Sequence, residues 1–356
     1  MNTCPASDAD DFFGQDGNYV HNSAQYQNNG DETVTDLVTG LMWTKAVFDK
    51  IAYGDAETNA AALTVGGYDD WRVPTIKELF SLIDFNGESG TDSSSSVPYL
   101  DTNYFDFEYG DVTGGRLIDS QYISSNLYVS TVFEGSTCMF GVNFADGRIK
   151  CYPISSSTFY IRYVRGDNNY GVNQFVDNND DTVTDIATGL MWSKKDSGHY
   201  NAGALTWQDA LAWAESATIG GYSDWRLPNA KELQAIVDYT RSPDTTASAA
   251  IDPVFDVTEI TNEGGNADYP WYWSGSSHLE SKPSPGAYAV YVAFGRALGY
   301  MDFDGDGVLT MYDVHGAGAQ RSDPKTGDPA DYPWGDGPQN DVIRIYNYAR
   351  LVRNTY

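Results

Sequence analysis

Apolar and polar residues recur along this chain with two periods, and the switch between them occurs twice. In VPTIKELFSLID (73–84), Ile76, Leu79, Leu82 and Ile83 recur at helical spacing. Thr75 precedes them and Glu78 stands three places later, the pattern of a capping box. In LPNAKELQAIVD (227–238), Asn229 and Glu232 hold the same places, followed by Ala230, Leu233, Ile236 and Val237. Each stretch predicts a short amphipathic helix entered from a proline. Another helix is predicted over 206–217, capped by Thr206, with Ala210, Leu211 and Ala214 on its apolar face; GDAETNAAALT (54–64) is a weaker counterpart. Alternating β-branched and aromatic residues predict strands in NLYVSTVF (126–133), CMFGVNF (138–144), RIKCYP (148–153) and FYIRYVRG (159–166). Four more are predicted in WYWSGSS (271–277), AYAVYVAFG (287–295), ALGYMDF (297–303) and DVIRIYNYARLVR (341–353). Helices precede an antiparallel sheet, so the expected class is α+β.

The pattern recurs because the sequence does. DETVTDLVTGLMWTK (31–45) returns as DDTVTDIATGLMWSK (180–194), DDWRVPTIKELFSLID (69–84) as SDWRLPNAKELQAIVD (223–238), and IRYVRG (161–166) as ARLVRN (349–354). Units of this size are domains, whereas solenoid repeats run at about 20–50 residues. The reading is a tail at 1–23, a first domain at 24–166 and a second at 170–356, with a seam near GDNNYG.

Composition narrows the function classes. Hydrophobic residues make up 41% and aromatic residues 14%, enough to fill cores. No stretch approaches the ~20 apolar residues of a membrane span. The start, MNTCPASDADDFFG, has no basic or apolar leader region. Either the protein is cytosolic, or a leader was removed and Met1 was added to the mature chain; composition favours the second. A net charge of −29 repels nucleic acid and anionic membranes and attracts divalent cations. Of the three cysteines, Cys138 and Cys151 flank an apparent hairpin with a turn at Asp146-Gly147. With a two-residue turn Val142 faces Cys151, and Cys138 lies roughly 13 Å further along that face. A disulfide needs Cα atoms within about 7 Å; a bulge or a longer loop would allow it. Cys4 has no evident partner in this pattern.

The constellation G-L-M-W-x-K (40–45, 189–194), G-G-Y-x-D-W-R-x-P-x-x-x-E-L (66–79, 220–233) and R-x-V-R (162–165, 350–353) resembles the C-terminal domain family of the Legionella collagen-like adhesin. The resemblance spans both units. It implies a C-type-lectin-like or formylglycine-generating-enzyme-like fold in secreted or surface proteins of bacteria. The namesake adhesin binds sulfated glycosaminoglycans, a task for a basic surface that this acidic chain does not offer. The family's cysteine positions hold Ala46 and Tyr163 in one unit and Lys195 and Leu351 in the other, so that disulfide is absent from both.

Trp71, Arg72, Pro74, Trp225, Arg226, Pro228, Trp43 and Trp192 read as scaffold: buried rings, a planar hydrogen-bonding fork and helix starts. Function is then expected where the copies differ. The candidates are the Ser-, Gly- and Tyr-rich loops at 86–120 and 241–285, suited to recognition. DFDGDGVLTMYD (302–313) predicts a calcium loop with ligands from Asp302, Asp304, Asp306, the Val308 carbonyl, Thr310 and Asp313, and Gly307 at the sharp turn. A second acidic loop offers Asp177, Asn179, Asp181 and Asp185 but lacks that glycine. The Gly- and Pro-rich stretch 313–341 is expected to be a self-packed loop, with His315, Arg321 and Lys325 as a lesser polar site. The four histidines lack metal-type spacing, and no nucleophile, P-loop or dinucleotide motif appears. The expectation is a non-catalytic binding module that recognises a glycan or protein. The alternative is a structural subunit of a surface filament, assembled from copies of itself and docked through residues 1–23.

Overall fold

The computed structural model describes residues 4–20, 22–155, 157–280, 286–303 and 305–355. Each repeat opens with a small antiparallel sheet whose last strand comes from the repeat's own end. Tyr26–Asn28, Thr33–Asp36 and Met42–Thr44 are joined by Val164–Arg165; Phe175–Asp177, Thr182–Asp185 and Leu190–Ser193 are joined by Val352–Asn354. Trp43 lies opposite Val164 and Trp192 opposite Val352, both indoles buried. The arginine that begins each closing motif is also buried. Arg162 donates to the carbonyls of Thr44, Lys45 and Asp106 at 2.5, 2.7 and 2.7 Å. Arg350 does the same to Ser193, Lys194 and Asp256 at 2.8, 2.6 and 2.7 Å. Aromatic faces cover both guanidinium groups: Phe105 and Tyr122 in the first repeat, Phe255 and Tyr272 in the second.

The repeated D-W-R-x-P segment folds as its local chemistry dictates. Helix α1 (Ala56–Ala62) precedes α2 (Ile76–Ser81) in the first repeat, and α3 (Trp207–Ser216) precedes α4 (Ala230–Ala235) in the second. Both expected capping boxes are present, Thr75 with Glu78 and Asn229 with Glu232. The same glutamates receive a two-pronged ion pair, from Arg72 at 2.7 and 2.5 Å and from Arg226 at 2.7 Å twice. The Trp71 and Trp225 indoles donate to the carbonyls of Val65 and Ile219, which fixes the loop ahead of each helix.

A six-stranded antiparallel sheet unites the repeats. The first supplies β1 (Gln121–Leu127), β2 (Cys138–Asn143) and β3 (Arg148–Pro153); the second supplies β4 (Trp271–His278), β5 (Tyr288–Ala293) and β6 (Gln320–Pro324). The order is β4-β5-β6-β3-β2-β1, with Gln320 of β6 opposite Ile149 of β3 at the junction. On one face Phe140, Val142, Val290 and Val292 share a core with Ile76 and Leu79 of α2 and Ala230 and Leu233 of α4. The domain limits read from the repeat therefore describe units of sequence, while sheet and core run across both.

Four sequence expectations are corrected. The β2–β3 turn is longer than two residues: Asn143 pairs with Arg148, leaving 144–147 as the loop. Phe140 then faces Cys151, and Cys138 and Cys151 form a disulfide with Cα atoms 5.4 Å apart. The stretch 126–133 is not a strand beyond Leu127. Of 341–353 only Val352 and Arg353 fall in a strand, which continues to Asn354. The stretch 313–341 contains β6; its charged residues hid a strand whose neighbours on both sides belong to the protein itself.

Residues 4–20 lie on the second repeat. Phe12 packs against Trp207 with ring centroids 5.8 Å apart, Gln208 donates to Asp11, and Ser276 donates to Asp16.

A lysine ammonium presents its donors from a single atom and does not reproduce the two guanidinium nitrogens that serve Thr44 and Lys45 on one side and Asp106 on the other. Arg162→Lys is expected to cost about 2–4 kcal/mol, because buried carbonyls lose their donors. Breaking the exposed Arg165–Asp70 pair with Arg165→Ala should cost under about 1 kcal/mol. Urea unfolding of both variants checks the contrast.

Candidate functional site

The acidic loop 302–313 spans a hairpin, Leu298–Met301 paired with Thr310–Asp313. Asp302 accepts hydrogen bonds from the amides of Gly305 (2.8 Å) and Gly307 (3.0 Å), and Asp306 from that of Val308 (2.7 Å). Gly307 holds a positive φ of 84°, as its place at the sharp turn requires. Asp304 lies outside the described residues. Thr310 sits in the strand opposite Met301. Asp313 points away from the loop: one carboxylate oxygen accepts from the amides of Ala297 and Gly316, the other from the Tyr128 hydroxyl. Burial pushes its carboxyl up to about 7. Thus Asp302 and Asp306 stay on the loop and Asp313 is committed to packing beneath it.

The second acidic loop is tied off by cations. Lys194 bonds Asp177 at 2.6 Å and Lys195 pairs with Asp181 at 2.8 Å. Asn179 donates its amide to Asp177. Asp185 is buried, accepting from Asn173, Gln174, Ala187 and Thr188. Among the described residues, no group of three or more His, Cys, Asp or Glu side chains is placed to hold a metal ion.

A different arrangement stands out where the 241–285 loop meets the C-terminal part of the second repeat. There a cleft of about 420 Å³ has walls of Tyr300, Tyr332, Tyr346 and Tyr348. Trp334 extends the wall, packing edge-on to Tyr300 at 5.5 Å. Arg344 forms a two-pronged pair with Glu263 at 2.8 and 3.0 Å and lies over the Trp271 ring at 3.8 Å. At the floor, Asn347 is 1% exposed and its side-chain oxygen has no partner among the described residues.

The backbone at this cleft is strained. Ile345 has φ 60°, a left-handed conformation that a β-branched residue rarely adopts. Its own side chain is fully buried, while its neighbours Arg344 and Tyr346 both line the cleft. Asp323 of β6 braces the bend from below, accepting from the Arg344 amide at 3.1 Å and the Asn347 side chain at 3.2 Å. Strain of this kind persists only where surroundings over-determine it, and it concentrates at functional positions.

Of the two loops singled out from sequence, 241–285 supplies Ile260, Thr261 and Glu263 to this cleft. Residues 344–348 were missed, because RIYNY reads as a strand. A signal was available: the first repeat has TFYIR where the second has YNYAR, so the aromatic cluster is one of the differences between the copies. The 86–120 loop is largely self-bonded, with Asp92 accepting from Ser94 and Ser95, and Asp111 from Thr113 and Gly114.

The Lcl C-terminal domain family matches residues 32–165 and 181–309. Together these cover more than half of the chain, and the chain belongs to that family as a tandem pair. No curated protein and no solved structure shows a significant match. Most of the cleft, at 329–348, lies beyond the matched residues.

Burial pushes the Asp323 carboxyl up to about 6 from an ordinary 3.8. Between about pH 4 and 6 the folded state holds a proton that the unfolded chain has released, so this group's stabilisation falls as pH rises through that window. Asp323→Asn carries no charge to bury. Its melting temperature is expected to exceed that of the wild type, with a gap that widens from pH 4 to 6 and levels off above, as calorimetry at several pH values would show.

Proposed function

We propose that this tandem member of the Lcl C-terminal domain family is a non-catalytic, secreted or surface-exposed bacterial adhesion module. On this reading each repeat is a C-type-lectin-like scaffold, and the ligand is a glycan held in the aromatic cleft of the second repeat. The left-handed Ile345, which sets Arg344 and Tyr346 into one cleft, is the observation that carries the proposal. The chemistry suits a sugar: tyrosine faces accept its apolar C–H surface, while Arg344, Glu263 and the free Asn347 oxygen meet its hydroxyls. Family membership supports an adhesin-like role at the coarser level. Among the described residues no helix is long and apolar enough to cross a membrane. The alternative, self-assembly through the N-terminal tail, has less support because residues 4–20 already occupy the second repeat of their own chain.

A glycan array probed with the fluorescently labelled chain tests the reading. Binding is expected, and Tyr346→Ala and Tyr332→Ala should each weaken it by roughly tenfold, the loss of one good aromatic contact. Silence across the array, or binding indifferent to both substitutions, would remove the cleft from consideration.

Calcium is proposed as a brace for the 302–310 loop, held by Asp302, Asp304, Asp306 and the Val308 carbonyl. Without the Asp313 carboxylate, the affinity should fall in the weak range of about 10⁻⁴–10⁻³ M. Titration calorimetry should show this heat abolished by Asp302→Asn and unchanged by Asp313→Asn. Equal loss in both variants would place Asp313 among the ligands after all.

A further inference from the structure

The centre of the shared sheet carries a buried set of ionic groups. Arg148 pairs with Asp146 and Glu280, and Arg321 pairs with Asp341, which also accepts from His315 Nε2 at 2.8 Å. Satisfaction within the set is incomplete: among the described residues Asp146 Oδ1 and the Arg321 Nε and Nη1 donors have no partner. The Lys150 ammonium group is also unpaired. Lys150 of β3 is 8% exposed, yet its ammonium group makes no hydrogen bond or ion pair with any described residue. Asp146 and Asp341 act on it only at longer range, opposed by Arg321 and Arg148. The ammonium group opens onto a cavity, where an incoming acceptor can reach it.

Lys150 lines a cavity of about 540 Å³, formed where the 86–120 loop of the first repeat meets residues 314–339 of the second. The cavity's charge balance runs against that of the protein. Lys50, Arg116 and Lys150 line it with Asp119 as the one carboxylate, in a chain of net charge −29. Arg116 is satisfied by Asp119 at 2.9 Å, and Lys50 donates to the Asp119 carbonyl at 2.5 Å. Of the three, Lys150 is the one whose cationic group has no hydrogen bond to a described residue. The side-chain oxygen of Gln339 is buried at the same cavity with no partner among the described residues, an acceptor for a hydroxyl. Phe133, Phe159 and Val314 supply apolar wall.

We propose that this cavity binds a small hydroxylated organic carboxylate, a sugar acid or hydroxy acid, with its carboxylate on Lys150 and a hydroxyl on Gln339. A carboxylate supplies the charged acceptor that the Lys150 ammonium group lacks. The apolar walls and the volume suit an organic body over a bare inorganic ion. The site is separate from the tyrosine-lined cleft and joins both repeats, so it would hold the two halves of the sheet together when filled.

The test uses the full chain with gluconate, glucose and inorganic phosphate as probes, followed by titration calorimetry. Gluconate is expected to bind, with glucose and phosphate each weaker by roughly tenfold or more. Lys150→Met should abolish gluconate binding, and Tyr346→Ala should leave it unchanged, which separates this site from the cleft. Because Lys150→Met alters a buried position, reductive methylation of the wild-type chain gives a second readout: gluconate should slow modification of Lys150 and spare Lys77. Absence of gluconate binding, phosphate binding tighter than gluconate, or methylation of Lys150 at the same rate with and without gluconate would each overturn the proposal.

Discussion

A buried guanidinium at the end of each repeat holds its beginning and end together. Arg162 and Arg350 each gather backbone carbonyls from two segments far apart in sequence, the strand after G-L-M-W and the loop before the main sheet. Those carbonyls have given up water, and few side chains other than arginine offer enough donors in one plane to serve them at once. Among the described residues, no carboxylate contacts either guanidinium. Carbonyl dipoles and aromatic faces take that role, which accounts for the rings packed on each arginine.

With the ends closed, the rest of each repeat is positioned as a consequence. The closing strand lies beside the buried tryptophan and brings Arg72 or Arg226 next to its own β-bridge partner, Val164 or Val352. From there the arginine reaches the glutamate that caps the following helix. One carboxylate thereby serves two segments, starting a helix and anchoring a strand. Duplication preserved this network in both copies and allowed the remaining surface to diverge. The divergence is lopsided. The second repeat carries the acidic hairpin and the 329–343 segment, which the first lacks, and the tyrosine cleft forms there.

The junction between repeats shows what duplication can build. Two three-stranded halves join edge to edge, so each half covers one edge of the other, while β4 and β1 remain at the ends of the sheet. The junction strands carry arginine, lysine and aspartate, and ion pairs form there. Both helices share one apolar core, with Phe140 of the first repeat packed against Tyr239 of the second at 4.7 Å. The tyrosine cleft sits at the far side of the second repeat, and Asp323 links it to the junction strand β6.

The sequence by itself determined the parts that depend on neighbours a few residues away. The capping boxes at Thr75 and Asn229, the apolar face of α3 and the tandem arrangement were legible because caps and amphipathic faces are short-range properties. The scaffold reading of Trp71, Arg72 and their copies was legible too, since duplication had kept them. Only the tertiary structure decided the β2–β3 register, where a four-residue loop moved Cys138 within reach of Cys151. It likewise decided that QRSDP is a central strand: Arg321 meets Asp341, Asp323 meets Arg344 and Asn347, and Ser322 meets Arg148 of the first repeat, partners that no local pattern reveals. The same holds for Asp313, turned from its loop towards Tyr128, and for Ile345, bent into a left-handed conformation by packing on every side. These outcomes rest on contacts between residues tens to hundreds of positions apart, where burial and long-range hydrogen bonding outweigh local preference.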